Sequence, residues 1–310
     1  MISHLDSFMN LFSYLSQIPQ GEIPEGLNLE NLLTYSPLQH QLISHLLVLG
    51  VSAQAVGFIY FTATRQRCAP RYRPSSVLSA VVMVSAFLIL TWQLIGWSQA
   101  FAFDGEVWSL TDTTFSNGYR YLNWSIDVPC LLTQMLFIID ISPGQFTKTR
   151  RRFVIAGLLM IYTGYIGQYY EVTNTPAFLI WGAVSTVFYI YILYLVGNLI
   201  FRSRGDLPRK AYNTMGTVWW LIIIAWTLYP LAYLMPFFWQ LFPELGAWSV
   251  VIRQFLYTMA DVFSKVVYGV LLTSIAQTRS AADRYEPALE AQPGSNGNYQ
   301  PEYVESNQQR

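Results

Sequence analysis

The sequence predicts an all-α membrane protein, a bundle of seven transmembrane helices with its N-terminus outside and its C-terminus inside. Three observations carry this. Of 310 residues, 53% are hydrophobic and 12% charged, about half the charge of an ordinary soluble domain. The apolar residues gather into seven stretches near the length of ~20 residues that a helix needs to cross a bilayer. The basic residues fall in alternate connections, the pattern that fixes orientation in a membrane.

Taken in order, the stretches cover residues 42–64, 77–97, 118–141, 153–170, 175–201, 215–238 and 250–278, the fourth being the shortest. The first connection holds Arg65, Arg67, Arg71 and Arg73. The third holds Lys148, Arg150, Arg151 and Arg152, and the fifth Arg202, Arg204, Arg209 and Lys210. The other connections have no Lys or Arg. The first 40 residues have none either, but carry Asp6, Glu22, Glu25 and Glu30. These ends therefore face opposite sides, which an odd number of spans requires.

Three regions follow: an extracellular segment over 1–40, the bundle over 41–280 and a cytoplasmic tail over 281–310. In the first, residues 28–33 suit a short cap helix. The connection over 98–117 carries Asp104, Glu106 and Asp112, and is long enough for a small hairpin. The tail is rich in Pro, Gly, Asn, Gln and Glu, a composition that favours disorder. No cleavable signal peptide is expected. The two cysteines, Cys68 in an Arg-rich loop and Cys130 in an apolar stretch, suggest no disulfide framework.

Five charges stand inside the stretches: Arg120, Asp127, Arg253, Asp261 and Lys265. A charge at the bilayer centre costs several kcal/mol, so such groups face the bundle interior and pair. Asp140 lies at a stretch end and is expected to be solvated. Asp261 and Lys265 share a helix face by their i, i+4 spacing. Arg120, Asn123, Asp127 and Gln134 form a polar stripe along the third helix. A cluster that merely fixes packing would not need a stripe crossing the whole span. A desolvated lysine amine is also a nucleophile toward aldehydes, and the resulting cation needs a carboxylate. Trp226, Tyr229 and Tyr233 share one face of the sixth helix, and Trp124 stands on the third. Alone they suggest core packing; beside a buried lysine they suggest a pocket for a flat apolar ligand.

The run Tyr119-Arg-Tyr-Leu-Asn-Trp-Ser-Ile-Asp-Val-Pro129 with Asp261-Val-Phe-Ser-Lys265, Trp226, Tyr229 and Pro230 resembles the microbial (type 1) rhodopsins over residues 28–280. The resemblance implies all-trans retinal held on Lys265 as a protonated Schiff base, with Trp124, Trp226, Tyr229 and Tyr233 lining its pocket. The triplet Asn123, Asp127 and Gln134 is similar to that of the bacterial sodium-pumping subfamily. Residues 78–87 and 163–168, with Glu171, resemble the same subfamily. It implies a light-driven outward sodium pump in a bacterial plasma membrane, assembled as a pentamer.

The resemblance also implies roles. Asp127 is the counterion and proton acceptor, hydrogen-bonded by Asn123 and Ser85. Asp261 is the second carboxylate and, with Asn123, a transient sodium site. Gln134 lies on the uptake path and Arg120 separates the retinal from the outer cavity. Glu171, Arg253 and Glu30 form the outer release cluster. His45 stands at a protomer interface or in an ordinary helix contact. Gly182 leaves an opening for a carotenoid antenna or simply aids packing. The chain departs from the subfamily where Ser76 and Thr273 replace Asn and Gly at the inner mouth. It departs again at Thr113, which replaces an Asp next to Asp112 and weakens a second sodium site between protomers.

Other readings compete. A light-driven outward proton pump shares Lys265 and Arg120 but wants a carboxylate at position 123, and sodium pumps of this type are expected to move protons when sodium is absent. A photosensory receptor would need a signalling partner, for which the tail offers no domain. A retinal-free structural protein leaves Lys265 unexplained. No enzymatic activity and no nucleic-acid partner are expected.

Overall fold

The computed structural model describes residues 26–285. Asp6, Glu22, Glu25 and most of the tail lie outside the described residues. Seven long helices form a ring in which each packs on its chain neighbours and the last returns to the first. They are α1 (Pro37–Thr64), α2 (Arg73–Ala100), α3 (Gly118–Leu136), α4 (Pro143–Gln168), α5 (Thr175–Ser203), α6 (Arg209–Tyr233) and α7 (Trp248–Ala282).

Local chemistry sets their ends. Before α1, Ser36 accepts from Gln39 N–H, and the Gln39 side chain returns a bond to Ser36 N–H. This reciprocal cap, with Pro37 at the first helical position, starts α1 ahead of its apolar stretch. Ser142, accepting from Gln145 N–H, and Pro143 start α4 ahead of its apolar stretch too. Lys148 and Arg150 to Arg152 consequently lie in the early turns of α4, where the sequence reading put a connection. Downstream, α6 stops at Tyr233 and a separate short helix covers Met235–Leu241. Pro236 explains the break, since it has no N–H to continue the helical ladder to Ala232 O.

Composition alone marks five of these helices as able to cross a membrane. The exceptions are α3, diluted by its polar stripe, and α4, whose early turns carry four basic residues. The last helix is the most buried of those five. Its residues Val262–Val267 form a π-helical turn, a local widening of the helix that frequently marks functional positions.

Two small elements close the outer end. A 3-10 turn over Leu29–Leu32 stands where the cap helix was expected. Strands β1 (Phe101–Phe103) and β2 (Trp108–Leu110) pair antiparallel as a hairpin. At its tip, Asp104 accepts from Glu106 N–H at 2.9 Å and Val107 N–H at 2.8 Å. These donors hold its carboxyl below the ordinary range. Gly105 takes φ +109°, which other residues rarely adopt. Tyr35 bridges to Trp108, and His40 stacks on the same indole at 3.8 Å.

At the other end, the extension of α7 to Ala282 adds Arg279 to the buried charges inside the helices. Arg279 donates to Ile138 O at 2.6 Å and pairs with Asp140. Asp140 is thus both solvated, its side chain 58% exposed, and ion-paired.

Close approach of α1, α2 and α7 depends on Gly269. A Cβ there would stand 2.4 Å from the Phe61 ring and 3.1 Å from Ser79 Oγ. Gly269→Ala should therefore destabilise the bundle by about 1–3 kcal/mol, the usual cost of overpacking. Thermal melts in detergent would read this; an unchanged melting temperature would show that the α1–α7 contact is loose.

Candidate functional site

The π turn of α7 carries Lys265 into the middle of the bundle, where it is 1% exposed. Its Nζ meets three oxygens: Asp261 Oδ1 at 2.8 Å, Asp127 Oδ2 at 2.9 Å and Asn123 Oδ1 at 3.0 Å. The Asn123 contact is an aligned hydrogen bond, and the two carboxylates meet the ammonium as ion pairs. All four polar residues of the α3 stripe are buried: Arg120, Asn123, Asp127 and Gln134.

One expected contact is arranged differently. Asn123 Nδ2 donates to Ser85 Oγ at 2.7 Å, and neither Asp127 oxygen accepts an aligned hydrogen bond from the described residues. The Asn123 amide has one acceptor, which Lys265 uses, so its donor turns to Ser85. Asp127 is held by charge alone.

Outward from Lys265 the polar chain is continuous. Arg120 Nη1 donates to Asp261 Oδ2 at 3.0 Å and its Nη2 to Gln254 Oε1 at 3.0 Å. Tyr229 Oη donates to Asp261 Oδ1 at 2.8 Å. Gln254 Nε2 donates to Glu30 Oε1 at 2.9 Å. Arg253 then joins Glu30 at 3.0 Å to Glu171 at 2.6 Å. The sequence reading missed Gln254, Asn117 and Asn28. Asn117 donates to Glu30 at 2.7 Å and Asn28 to Glu171 at 3.1 Å. Their signal was faint: each stands within a turn of one buried charge, but the carboxylate it serves is more than 80 residues away in sequence. Burial pushes the Glu171 carboxyl above its ordinary range despite the opposing pull of Arg253.

Inward, the polar chain thins. Ser79 Oγ donates to Gln134 Oε1 at 2.7 Å, a partner the reading also missed. Ser76 and Thr273 are buried, and Ser76 Oγ and Gln134 Nε2 have no partner among the described residues. Elsewhere, His45 is exposed on the outer surface of α1. Thr113 Oγ1 bonds to Thr111 in its own loop at 2.9 Å and to Gln99 O in the last turn of α2 at 3.2 Å.

A cavity runs from Lys265 between α3, α4, α5 and α6. Trp124, Trp226, Tyr229, Tyr233 and Gly182 line it, and Met160, Ile161 and Pro230 complete its apolar wall. Gly182 leaves room for Tyr233, whose ring a Cβ would meet at 2.7 Å. An elongated ring-lined chamber ending on a buried amine fits a conjugated aldehyde. Fold and site together define a seven-helix membrane protein built around an apolar, ring-lined chamber that ends on a buried amine.

Residues 41–279 match the model of the bacteriorhodopsin-like protein family, and the chain belongs to that family. Its rhodopsins are light-driven ion pumps that bind retinal. The green-light absorbing proteorhodopsin of Gamma-proteobacterium EBAC31A08 is 25% identical over 234 residues, 75% of this chain and 86% of the relative. Bacteriorhodopsin of Halobacterium salinarum is 24% identical over 250 residues, 78% of this chain and 87% of the relative. Among solved structures, xanthorhodopsin, described as a light-driven ion pump with dual chromophore, superposes with a TM-score of 0.75 at 26% identity. That match covers 82% of this chain and 99% of xanthorhodopsin. A thermophilic rhodopsin superposes with a TM-score of 0.74 at 25% identity, covering 81% and 98% of the two chains.

The outer cluster makes a measurable demand. Arg253→Gln leaves Glu30 and Glu171 buried without their cation and should cost about 3–5 kcal/mol. Carboxyls raised in the folded state weaken folding progressively as pH climbs above their unfolded value of ~4.3. The Arg253→Gln deficit in melting temperature should therefore be larger at pH 7.5 than at pH 4.5, and Glu171→Gln in the same chain should recover part of it. A deficit independent of pH would contradict the arrangement.

Proposed function

We propose that this protein is a light-driven outward sodium pump whose retinal is attached to Lys265. The observation that carries the reading is the placement of acceptors around one nitrogen. Position 123 holds an amide, and the carboxylate stands one turn further along α3, at Asp127, 2.9 Å from Lys265 Nζ.

Trp124, Trp226, Tyr229 and Tyr233 would hold the polyene, and Gly182 makes room for Tyr233. When bound, retinal supplies light absorption and a change of shape that alters the surroundings of the Lys265 nitrogen. The rest follows from the chain. A lysine nitrogen carrying a chromophore keeps one N–H, so Asp127, Asp261 and Asn123 compete for a single donor. With the nitrogen protonated, two cations (Lys265, Arg120) face two carboxylates (Asp127, Asp261), and the set is neutral. The cation at Lys265 repels a passing sodium ion, strongly so in a medium of low dielectric.

Transfer of the proton from Lys265 to Asp127 removes that barrier. It also releases Asn123 Oδ1 and Asp261 Oδ1 from the Lys265 cation, leaving Tyr229 as the donor to Asp261 Oδ1. These are hard oxygen ligands of the kind a sodium ion takes, so the ion arriving past Ser76, Thr273, Ser79 and Gln134 rests there. Return of the proton to Lys265 restores the repulsion and favours exit along Arg120, Gln254, Glu30 and Glu171. Asn123 cannot accept the proton, which keeps the transfer local.

The polar chain beyond Arg120 is hydrogen-bonded throughout, which also suits protons, so outward proton pumping without sodium is the second reading. The family suggests a homo-oligomer, a pentamer, in a bacterial plasma membrane, with exposed His45 at the protomer contact. Packing of Tyr233 accounts for Gly182; added carotenoid that sensitises pumping would assign it an antenna as well.

The test is external pH under illumination of retinal-fed cells in unbuffered NaCl with a protonophore. Alkalinisation that grows with the protonophore is expected, because protons follow the exported cation. Acidification abolished by the protonophore would establish the proton pump instead. Asp127→Asn should abolish sodium export, and normal rates in that variant would refute the scheme. Lys265→Ala should remove visible absorption altogether.

A further inference from the structure

On the basic end of the bundle a groove opens beneath the connection from α1 to α2. Arg65, Arg73 and Arg150 line it above an apolar floor of Val77, Leu78 and Phe137. No Asp or Glu lines it. The three arginines differ in what holds them. Arg73 is anchored, its Nε donating to Cys68 O at 3.0 Å and its Nη2 to Tyr285 Oη at 2.8 Å. Arg65 and Arg150 are exposed and pair with no carboxylate among the described residues. Carboxylates do serve other arginines at this end: Asp283 pairs with Arg71 and Asp140 with Arg279.

The depth is informative. Arg65 follows the last residue of α1 and Arg73 opens α2, so their guanidiniums stand at the edge of the hydrocarbon layer, where headgroups lie. Val77, one turn further in, is 40% exposed and faces outward from the bundle. The inward preference of basic residues explains why arginines collect at this end. It does not explain three of them converging over an apolar floor that continues onto the lipid-facing surface.

We propose that this groove binds one anionic phospholipid of the cytoplasmic leaflet. The phosphate sits between Arg65 and Arg150, beside the fixed charge of Arg73, and an acyl chain lies along Val77, Leu78 and Phe137. Guanidinium offers phosphate a paired set of donors, and basic pockets between helices on this side are suited to lipid headgroups. The floor selects a lipid over a soluble anion, since only a lipid covers both parts.

The full-length protein, reconstituted in vesicles of equal phosphatidylglycerol and phosphatidylcholine, would be released into the gas phase and its retained lipids weighed by native mass spectrometry. The wild type should keep phosphatidylglycerol preferentially, at one per chain. Arg65→Gln with Arg150→Gln should lower that retention about tenfold, or by ~1.4 kcal/mol, with visible absorption and melting temperature unchanged. Arg150→Gln alone, on an exposed side chain, gives a second variant should the pair fold poorly, and it should lower retention in the same direction. Equal retention of both lipids, retention of neither, or undiminished retention in the variants would overturn the proposal. Displacement of the lipid by millimolar glycerol phosphate would also overturn it, by showing a site for soluble anions.

Discussion

The cost of placing charge in a membrane governs this structure. An unpaired ion there is unfavourable by several kcal/mol, and the described residues bury a lysine, three arginines and four carboxylates. Each must find its complement, and the complements lie on different helices. Lys265 on α7 needs Asp127 on α3, and Arg120 on α3 needs Asp261 on α7. The exchange is reciprocal, so the pair of helices is fixed in rotation and in depth at once. Apolar packing between helices in lipid could not do this, because lipid tails are as apolar as leucine.

The outer cluster repeats the device with a different result. Arg253 faces both Glu30 and Glu171, leaving one negative charge in excess. Amides soften that excess. Asn28, Asn117 and Gln254 all point donors at these carboxylates. Gln254 is the link between the two clusters, its carbonyl on Arg120 and its amide on Glu30. The surplus of acceptors thus lies at the outer cluster and the balanced set at the centre.

Much of this was legible in the sequence because buried charge is rare and therefore conspicuous. Seven apolar runs mark the helices, and the i, i+4 spacing of Asp261 and Lys265 places the two on one helix face. The missed features share a cause. Gln254, Asn117 and Ser79 are neutral polar residues, which occur in any helix, and only their partners distinguish them. The early start of α4 was hidden by its own charges, since Lys148 and Arg150 to Arg152 read as a connection. The turn of Asn123 toward Ser85 follows from which amide atom Lys265 occupies, and spacing along a helix cannot reveal that. The π turn left no mark in the pattern, because widening by one residue still leaves Asp261 and Lys265 adjacent.

That turn bears on mechanics. In a regular helix every backbone bond resists bending equally, but Val262–Val267 interrupts the ladder at Lys265. The last helix is therefore two rods joined at the amine. The outer rod carries Arg253, Gln254 and Asp261; the inner rod carries Thr273 and Arg279. A joint at this point is a compliant spot: bending of the last helix costs least where its ladder is already widened, beside Lys265.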